Sequence, residues 1–475
     1  MRILYIFLLG ILSVLPPDGR VVTGPEVMVR EFMRAGEVPG LFAAIVMKDS
    51  VLFQQAFGVA DIDRGTAMTA ATCMELGSIS KALTGEVIID LYDRRLLDLE
   101  QSIAQYLPGA PEAWSAITVH HLLTHTSGIQ NYLLDPRFKA ELYFQPIDGS
   151  DPLGGVLGGI STDSLTQMFY SLPLEFPSGQ TWSYSNTGYI LLGKIAESVT
   201  HIPYFTYATQ TVTRPLGMRQ TKACEEAWKE GCLARGYVVT PDGLRPARVL
   251  TSDYAFSGGA WAVSGEDMVS FLRAVHRKGL PSDKAGFSWR SHALYPDHPF
   301  QYNGGRFFTT YHGKHITAHN GGTPGFSSSW VFVEEGTISV IVLMNRQDYA
   351  PVDRLAWDLL AHYAPELQYP SRKIESSAGE KWGTIVLGAL DSLRAGRRMP
   401  SGCSAPLRRF MESDNGRGLW HWYFARGFPT AITCVDVEKA DGLKQYRYRL
   451  TAPGAMEYRL TAVVDRQDQL IRLYW

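Results

Sequence analysis

Gly77-Ser78-Ile79-Ser80-Lys81, continued by Ala82-Leu83-Thr84-Gly85-Glu86-Val87-Ile88-Ile89-Asp90-Leu91-Tyr92, is the stretch on which the reading of this chain turns. Leu83, Val87, Ile88, Leu91 and Tyr92 recur at helical spacing, so an amphipathic helix is expected over residues 80–97. Ser78 and Lys81 then stand three apart where that helix begins. They share nearly one face, and the Lys81 amine can reach the Ser78 hydroxyl across one turn. A serine hydroxyl is a weak nucleophile until a neighbouring base takes its proton, and a lysine whose pKa is lowered by burial or by nearby cations can be that base. Free N–H groups at a helix start can also help stabilise an oxyanion. By itself an S-x-x-K arises roughly once by chance in a chain of this length, so its meaning depends on its company.

Working outward, the apolar runs 41–48 and 51–60 are separated by Asp49 and Ser50 and read as a β-hairpin. Residues 98–275 mix helical runs, such as 189–199 and 268–275, with loops rich in Gly, Pro and Ser, and carry few strand signals. A second hairpin is expected from 330–333 and 338–343 around Glu334-Glu335-Gly336-Thr337, followed by a helix over 352–363. Strands, then helices, then strands imply an α/β (α+β) unit whose antiparallel sheet is completed by both ends of the segment, with helices flanking it and an all-helical region inserted. That unit is placed at residues 25–368. After a linker at 370–377, residues 378–475 read as a small α+β domain: a helix over 382–393 and strands at 420–425, 433–437, 445–450, 458–464 and 470–475.

At 475 residues the chain exceeds the usual single-core size, which agrees with one large and one small domain. Apolar residues make up 45% and charged residues 19%, a globular rather than a disordered composition. The net charge of −2, with both signs interleaved, leaves no basic footprint for nucleic acid and no polybasic membrane patch. Arg2 followed by the apolar run from Ile3 to Leu15 reads as a signal peptide within residues 1–20, with an N-terminal anchor as the alternative. Export to the periplasm or beyond follows. In that compartment Cys224 could pair with Cys232 and Cys403 with Cys434, leaving Cys73 alone.

The company of Ser78 is found downstream. Tyr184-Ser185-Asn186 lies in a turn-rich stretch before an apolar helix, and His319-Asn320-Gly321-Gly322 precedes an expected strand. Three further strings accompany them: His121-Leu122-Leu123-Thr124-His125-Thr126-Ser127-Gly128, Pro215-Leu216-Gly217-Met218 and Ser257-Gly258-Gly259. Together, in this order and over roughly residues 25–365, they resemble the active-site signature of the serine β-lactamase and D-Ala-D-Ala carboxypeptidase family, in its class C branch, which also holds esterases and D-aminopeptidases. The resemblance implies a β-lactamase/transpeptidase-like fold with Ser78 as the acylated nucleophile and Lys81 as its base. Tyr184 would relay a proton to the leaving group and help activate the deacylating water, its phenol pKa lowered by the charge of Lys81. Asn186 and Gly321 would contact the substrate, and the N–H groups of Ser78 and Gly322 would form the oxyanion hole. His319 is the fourth catalytic position.

His319 is also where the sequence departs from the β-lactamase pattern, which has Lys there. A histidine is a weaker anchor for a substrate carboxylate, because it is largely uncharged near neutral pH. Asn320 and Gly322 also stand where that motif commonly has hydroxyl residues. Esterase or D,D-peptidase-type activity is therefore expected ahead of efficient β-lactam hydrolysis. The expected partner is a small-molecule or peptide acyl substrate, cell-wall-derived peptides included, and no metal or organic cofactor is implied. There is no G-x-S-x-G elbow for an α/β-hydrolase. His121 and His125 stand four apart, but no adjacent Glu or third ligand suggests a zinc site. The competing reading is a non-catalytic module that keeps the fold and binds peptidoglycan peptides or another partner without turning them over.

Overall fold

The strand Gly40–Met47 (GLFAAIVM) and the strand Ile338–Met344 (ISVIVLM) are almost wholly apolar because both faces of each are covered. They pair antiparallel, Leu41 opposite Met344 and Met47 opposite Ile338, so segments some 300 residues apart close one sheet. The computed structural model describes residues 24–138, 156–157, 160–240, 242–293, 301–335, 338–347, 349–370, 372–413, 416–417, 420, 424, 427–440, 442–453 and 456–474. The leader read at residues 1–20 lies outside these. Among the described residues no helix is long and apolar enough to cross a membrane.

The main sheet has eight antiparallel strands in the order Tyr302–Asn303, Arg306–Tyr311, Lys314–Thr323, Phe326–Val333, Ile338–Met344, Gly40–Met47, Ser50–Asp61 and Thr66–Ala67. Both expected hairpins are present. Alternation along the strand Gly40–Met47 divides the core. Leu41, Ala43 and Ile45 pack with the helices Gly24–Gly36 and Tyr349–Tyr363. Phe42, Ala44 and Val46 face the inserted region and its central helix, Ser80–Asp93.

That central helix differs from expectation. It is enclosed on nearly every side, with Lys81, Thr84 and Glu86 buried alongside its apolar residues, so the periodicity marks the tightest contacts and not a solvent boundary. Its polar groups are met by the surrounding loops. Thr84 Oγ1 donates to Ser257 O at 2.6 Å, and Glu86 accepts from Ser282 N (2.8 Å), Ser282 Oγ (3.0 Å), Trp289 Nε1 (3.1 Å) and Arg306. The inserted region also holds short strands that composition hid. Cys73–Glu75, Trp261–Ser264 and Lys222–Ala223 form a three-stranded sheet, and Tyr237–Thr240 pairs with Gly243–Pro246.

Beyond the linker, Ser376 caps the helix Ser377–Arg394 by accepting from Gly379 N at 2.9 Å. The helix packs on an antiparallel meander of Ala431–Ala440, Leu443–Ala452, Met456–Val464 and Leu470–Tyr474. A second helix, Ala405–Glu412, was not anticipated. The strand expected at 420–425 is absent at its described ends: Phe424 N donates to Trp420 O at 3.0 Å, a helical bond, and both rings are buried. Aromatic density there imitates a strand while the burial has helical spacing.

The cysteine pairings expected above are not made. All five cysteines are free. Cys232 adjoins Cys73, whose N–H donates to Cys232 O at 2.9 Å, while Cys224 opens the short helix Cys224–Lys229 inside the core. Cys403 lies beside Leu470, and Cys434 lies against Gly379.

The Glu86–Arg306 pair is sealed from solvent, with 0% and 4% side-chain exposure. Removing one member of such a pair leaves the other charge buried and uncompensated. Arg306→Met is therefore expected to lower the unfolding free energy by about 3–5 kcal/mol. Urea titration of the purified variant checks this, and a loss under about 1 kcal/mol would show that the pair does not act as a unit.

Candidate active site

Ser78 lies in a 3-10 turn, Gly77–Ile79, that runs directly into the central helix. A 3-10 turn nearly eclipses residues three apart, which brings Lys81 into line with Ser78. Lys81 Nζ is 3.1 Å from Ser78 Oγ, 2.7 Å from Asn186 Oδ1 and 2.6 Å from Gly258 O. Burial pushes the Lys81 pKa well below its ordinary value. A neutral amine has two hydrogens and one lone pair. The hydrogens fit the Asn186 and Gly258 oxygens, and the lone pair then faces the Ser78 hydroxyl.

Tyr184 is delivered by the loop ahead of the helix Asn186–Thr200, whose N-cap Ser185 accepts from Gly188 N at 3.4 Å. Its phenol lies near the Ser78 side chain, and Lys81 Nζ lies 5.0 Å from the centre of its ring. The expectation that Lys81 would lower the phenol pKa is overturned. Burial drives it upward, with the neighbouring Ser78 side chain as the smaller opposing effect. Tyr184 is thus a neutral hydroxyl at working pH.

The strand Lys314–Thr323 forms the opposite wall. A Cβ on Gly77 (φ +60°) would stand 2.5 Å from Gly322 N, and one on Gly321 would stand 2.2 Å from Leu76 O and 3.1 Å from Ser78 N. Glycine at these positions lets the strand lie directly against the nucleophile turn, with the peptides of Ser78 and Gly322 side by side. Any substrate contact of Gly321 must come from its backbone.

His319 is buried and bound at both ring nitrogens: Nδ1 donates to Asn320 O at 2.5 Å, and Nε2 accepts from Tyr302 OH at 3.1 Å. Burial, then Lys81, bring its pKa down to about 3. It carries no charge with which to anchor an anion. Asn320 projects to the far face of the sheet, where its Nδ2 donates to Asp353 Oδ2 at 2.8 Å, and burial raises the pKa of that carboxyl to about 6.

The model thus brings Ser78, Lys81, Tyr184, Asn186, His319, Gly321 and Gly322 into one cluster. Asn186 differs from expectation in detail, because its Oδ1 takes a Lys81 hydrogen and its Nδ2 lies 3.4 Å from Asn131 Oδ1. Sequence reading missed Asn131, the Gly258 carbonyl and the aromatic shell of Trp182, Tyr302 and Phe307. Loop residues and a backbone oxygen leave no periodic signal. His120 binds Glu100 and His292 O, while His121 Nδ1 accepts from Thr118 N.

The β-lactamase family model matches residues 26–364. The chain belongs to the β-lactamase family. Within that family it is 26% identical over 319 residues to penicillin-binding protein 4* of Bacillus subtilis, covering 63% of this chain and 66% of that one. It is 30% identical over 192 residues to esterase EstB of Burkholderia gladioli, covering 39% and 47%. The chain thus spans less than two thirds of either relative's length. The octameric penicillin-binding protein homologue from Pyrococcus abyssi superposes with a TM-score of 0.63 at 22% identity, covering 92% of this chain and 89% of that one. The β-lactamase fold is shared, and the likeness extends past residue 364.

Burying Lys81 uncharged has a measurable stability consequence. The unfolded chain binds a proton at Lys81 below about pH 10.4, whereas the folded chain does so only far lower, so this residue weakens folding across the interval and less so as pH rises. Lys81→Met is expected to raise Tm at pH 7, with the gain shrinking towards pH 10. Calorimetry across that range checks the sign. A variant destabilised equally at every pH would contradict it.

Proposed function

We propose that the protein is a serine hydrolase that works through an acyl-enzyme on Ser78, and that it prefers esters or uncharged amides, including D-amino-acid peptides, to β-lactams. The observation that carries this reading is the Lys81 amine, buried, its pKa pushed well below the ordinary value, and 3.1 Å from Ser78 Oγ. Lys81 accepts the Ser78 proton as Oγ bonds to the substrate carbonyl carbon, and the carbonyl electron pair moves to oxygen. The N–H groups of Ser78 and Gly322 receive that oxyanion. As the tetrahedral intermediate collapses, Tyr184 passes its hydroxyl proton to the departing oxygen or nitrogen and regains one from protonated Lys81. Water then enters, loses a proton along the same route and releases the acid from Ser78.

The substrate preference rests on His319. Its neutral imidazole, already bonded at both nitrogens, offers nothing to a carboxylate, and Asn320 is turned away to Asp353. A charged hydrogen bond contributes about 1.5–3 kcal/mol, so its lack disfavours an anionic substrate by roughly 10- to 10²-fold. We read residues 25–368 as the catalytic domain and 378–475 as a domain docked beside the site. There Phe410 packs against Trp182 with ring centres 5.2 Å apart. The leader-like run supports action outside the cytoplasm, where cell-wall-derived peptides and esters are accessible.

Ser78→Ala is expected to abolish fluorophosphonate labelling and to lower kcat about 10⁴-fold or more with the fold intact. Labelling of that variant at the wild-type rate would place the nucleophile elsewhere. Tyr184→Phe is expected to lower kcat about 10²- to 10⁴-fold on substrates with poor leaving groups. In parallel assays, a neutral p-nitrophenyl ester should exceed a chromogenic cephalosporin in kcat/KM by at least about tenfold. The reverse order would overturn the substrate reading.

A further inference from the structure

The short helix Val119–Leu123 ends in a Schellman turn: Thr126 N donates to His121 O at 2.9 Å and His125 N to Leu122 O at 3.4 Å. His125 occupies the left-handed position of that turn, φ +58°, where glycine is usual. For a residue with a Cβ this conformation is strained, so the histidine sits there against a local preference. What the side chain does there is visible in its contacts. His125 O accepts from Ser183 N at 2.9 Å, and His125 Nδ1 accepts from Ser185 N at 3.2 Å. These are the peptide N–H groups on either side of Tyr184. The imidazole also lies against the Tyr184 ring, with centres 4.3 Å apart and planes tilted by 42°, and it meets Tyr302 at 4.5 Å and Tyr189 at 5.1 Å. Tyr302 in turn holds His319.

We infer that His125 is a positioning residue for Tyr184, gripping the backbone on both sides of it and backing its ring so that the phenol stays aimed at Ser78. The inference rests on the acyl-transfer reading above and gives a role to a residue that touches neither Ser78 nor substrate. The Ser185 N–H must meet a bare Nδ1, which places the ring proton on Nε2. That atom has no hydrogen-bond partner among the described residues. Burial, reinforced by Lys81 and His319, disfavours a second proton on the imidazole and so favours the bare Nδ1 that the Ser185 N–H needs. A shift of about 1 Å in a proton-transfer group costs on the order of 10²-fold in rate. The loss should appear only where leaving-group protonation limits turnover.

The test compares two substrates in five variants. His125→Gly keeps the left-handed turn and the Ser183 bond but removes Nδ1 and the ring. His125→Asn suits the same backbone and puts an amide oxygen near the place of Nδ1, whereas His125→Gln carries its amide past that place. The expected result for His125→Gly is a kcat about 10²-fold lower on an alkyl ester and less than tenfold lower on a p-nitrophenyl ester, with KM unchanged. His125→Asn should recover at least tenfold of that loss, and His125→Gln should not. In a Tyr184→Phe background, His125→Gly should change kcat by no more than about twofold, because both changes disable one group. Equal losses on the two esters, or a full loss in the Tyr184→Phe background, would overturn the inference. If His125→Gly does not fold, the contrast between Asn and Gln decides instead, and equal activities overturn it. A Tyr184→Phe variant with wild-type turnover would sink the acyl-transfer role of Tyr184 and this inference with it. A large loss in Tyr184→Phe with none in His125→Gly would sink this inference alone.

Discussion

An amine that water would keep charged is buried where its charged form is disfavoured, and the architecture around Ser78 follows from that constraint. Lys81 has 0% exposure, and its Nζ meets Ser78, Asn186 and a backbone carbonyl. Burial without a carboxylate partner disfavours the ammonium form and pushes the Lys81 pKa well down, towards an amine that can act as a base. Three separate segments must converge to seal it: the turn at Ser78, the helix start at Asn186 and the Ser257-Gly258 stretch. The enclosed central helix is the means by which they do so.

The same low-dielectric environment sets the state of the neighbours. Tyr184 stays a phenol, His319 stays neutral, and His125 can present a bare nitrogen to a peptide N–H. On the proposed reading the site moves protons among neutral groups, and charge develops only during reaction. A charged anchor at position 319 would raise the cost of protonating Lys81, since like charges a few ångströms apart repel strongly in such surroundings. Neutral His319 is compatible with the Lys81 chemistry in a way that links substrate preference to mechanism.

Much of the fold could be read from the sequence. The apolar runs at 41–48 and 338–343 marked hairpin strands, and the order of elements implied that both ends of the segment share one sheet. Within the site, Ser78, Lys81, Tyr184, Asn186 and His319 stood in recognisable strings, and the model brings them together. What could not be read depends on burial and on long-range contact. The burial of Lys81 and of Tyr184 leaves no local signal, and it is the phenol's own burial that raises its pKa instead of lowering it. The helical spacing of Trp420 and Phe424 was concealed by aromatic density. Cys232 was matched with Cys224, its near neighbour in sequence, whereas folding sets it beside Cys73, about 160 residues away. His125 was visible as part of a string and as one of two histidines four apart; its left-handed turn and its hold on Ser183 and Ser185 appear once the loops are placed.

The central claim is the uncharged state of Lys81, and a titration of that residue tests it most directly. Protein labelled with carbon-13 at lysine Cε would be followed by NMR across pH, with the Lys81 signal assigned by its absence in Lys81→Met. The account predicts a signal that titrates well below the ordinary lysine value of about 10.4, leaving the amine unprotonated at pH 7. A Lys81 signal that titrates at or above that value would contradict it.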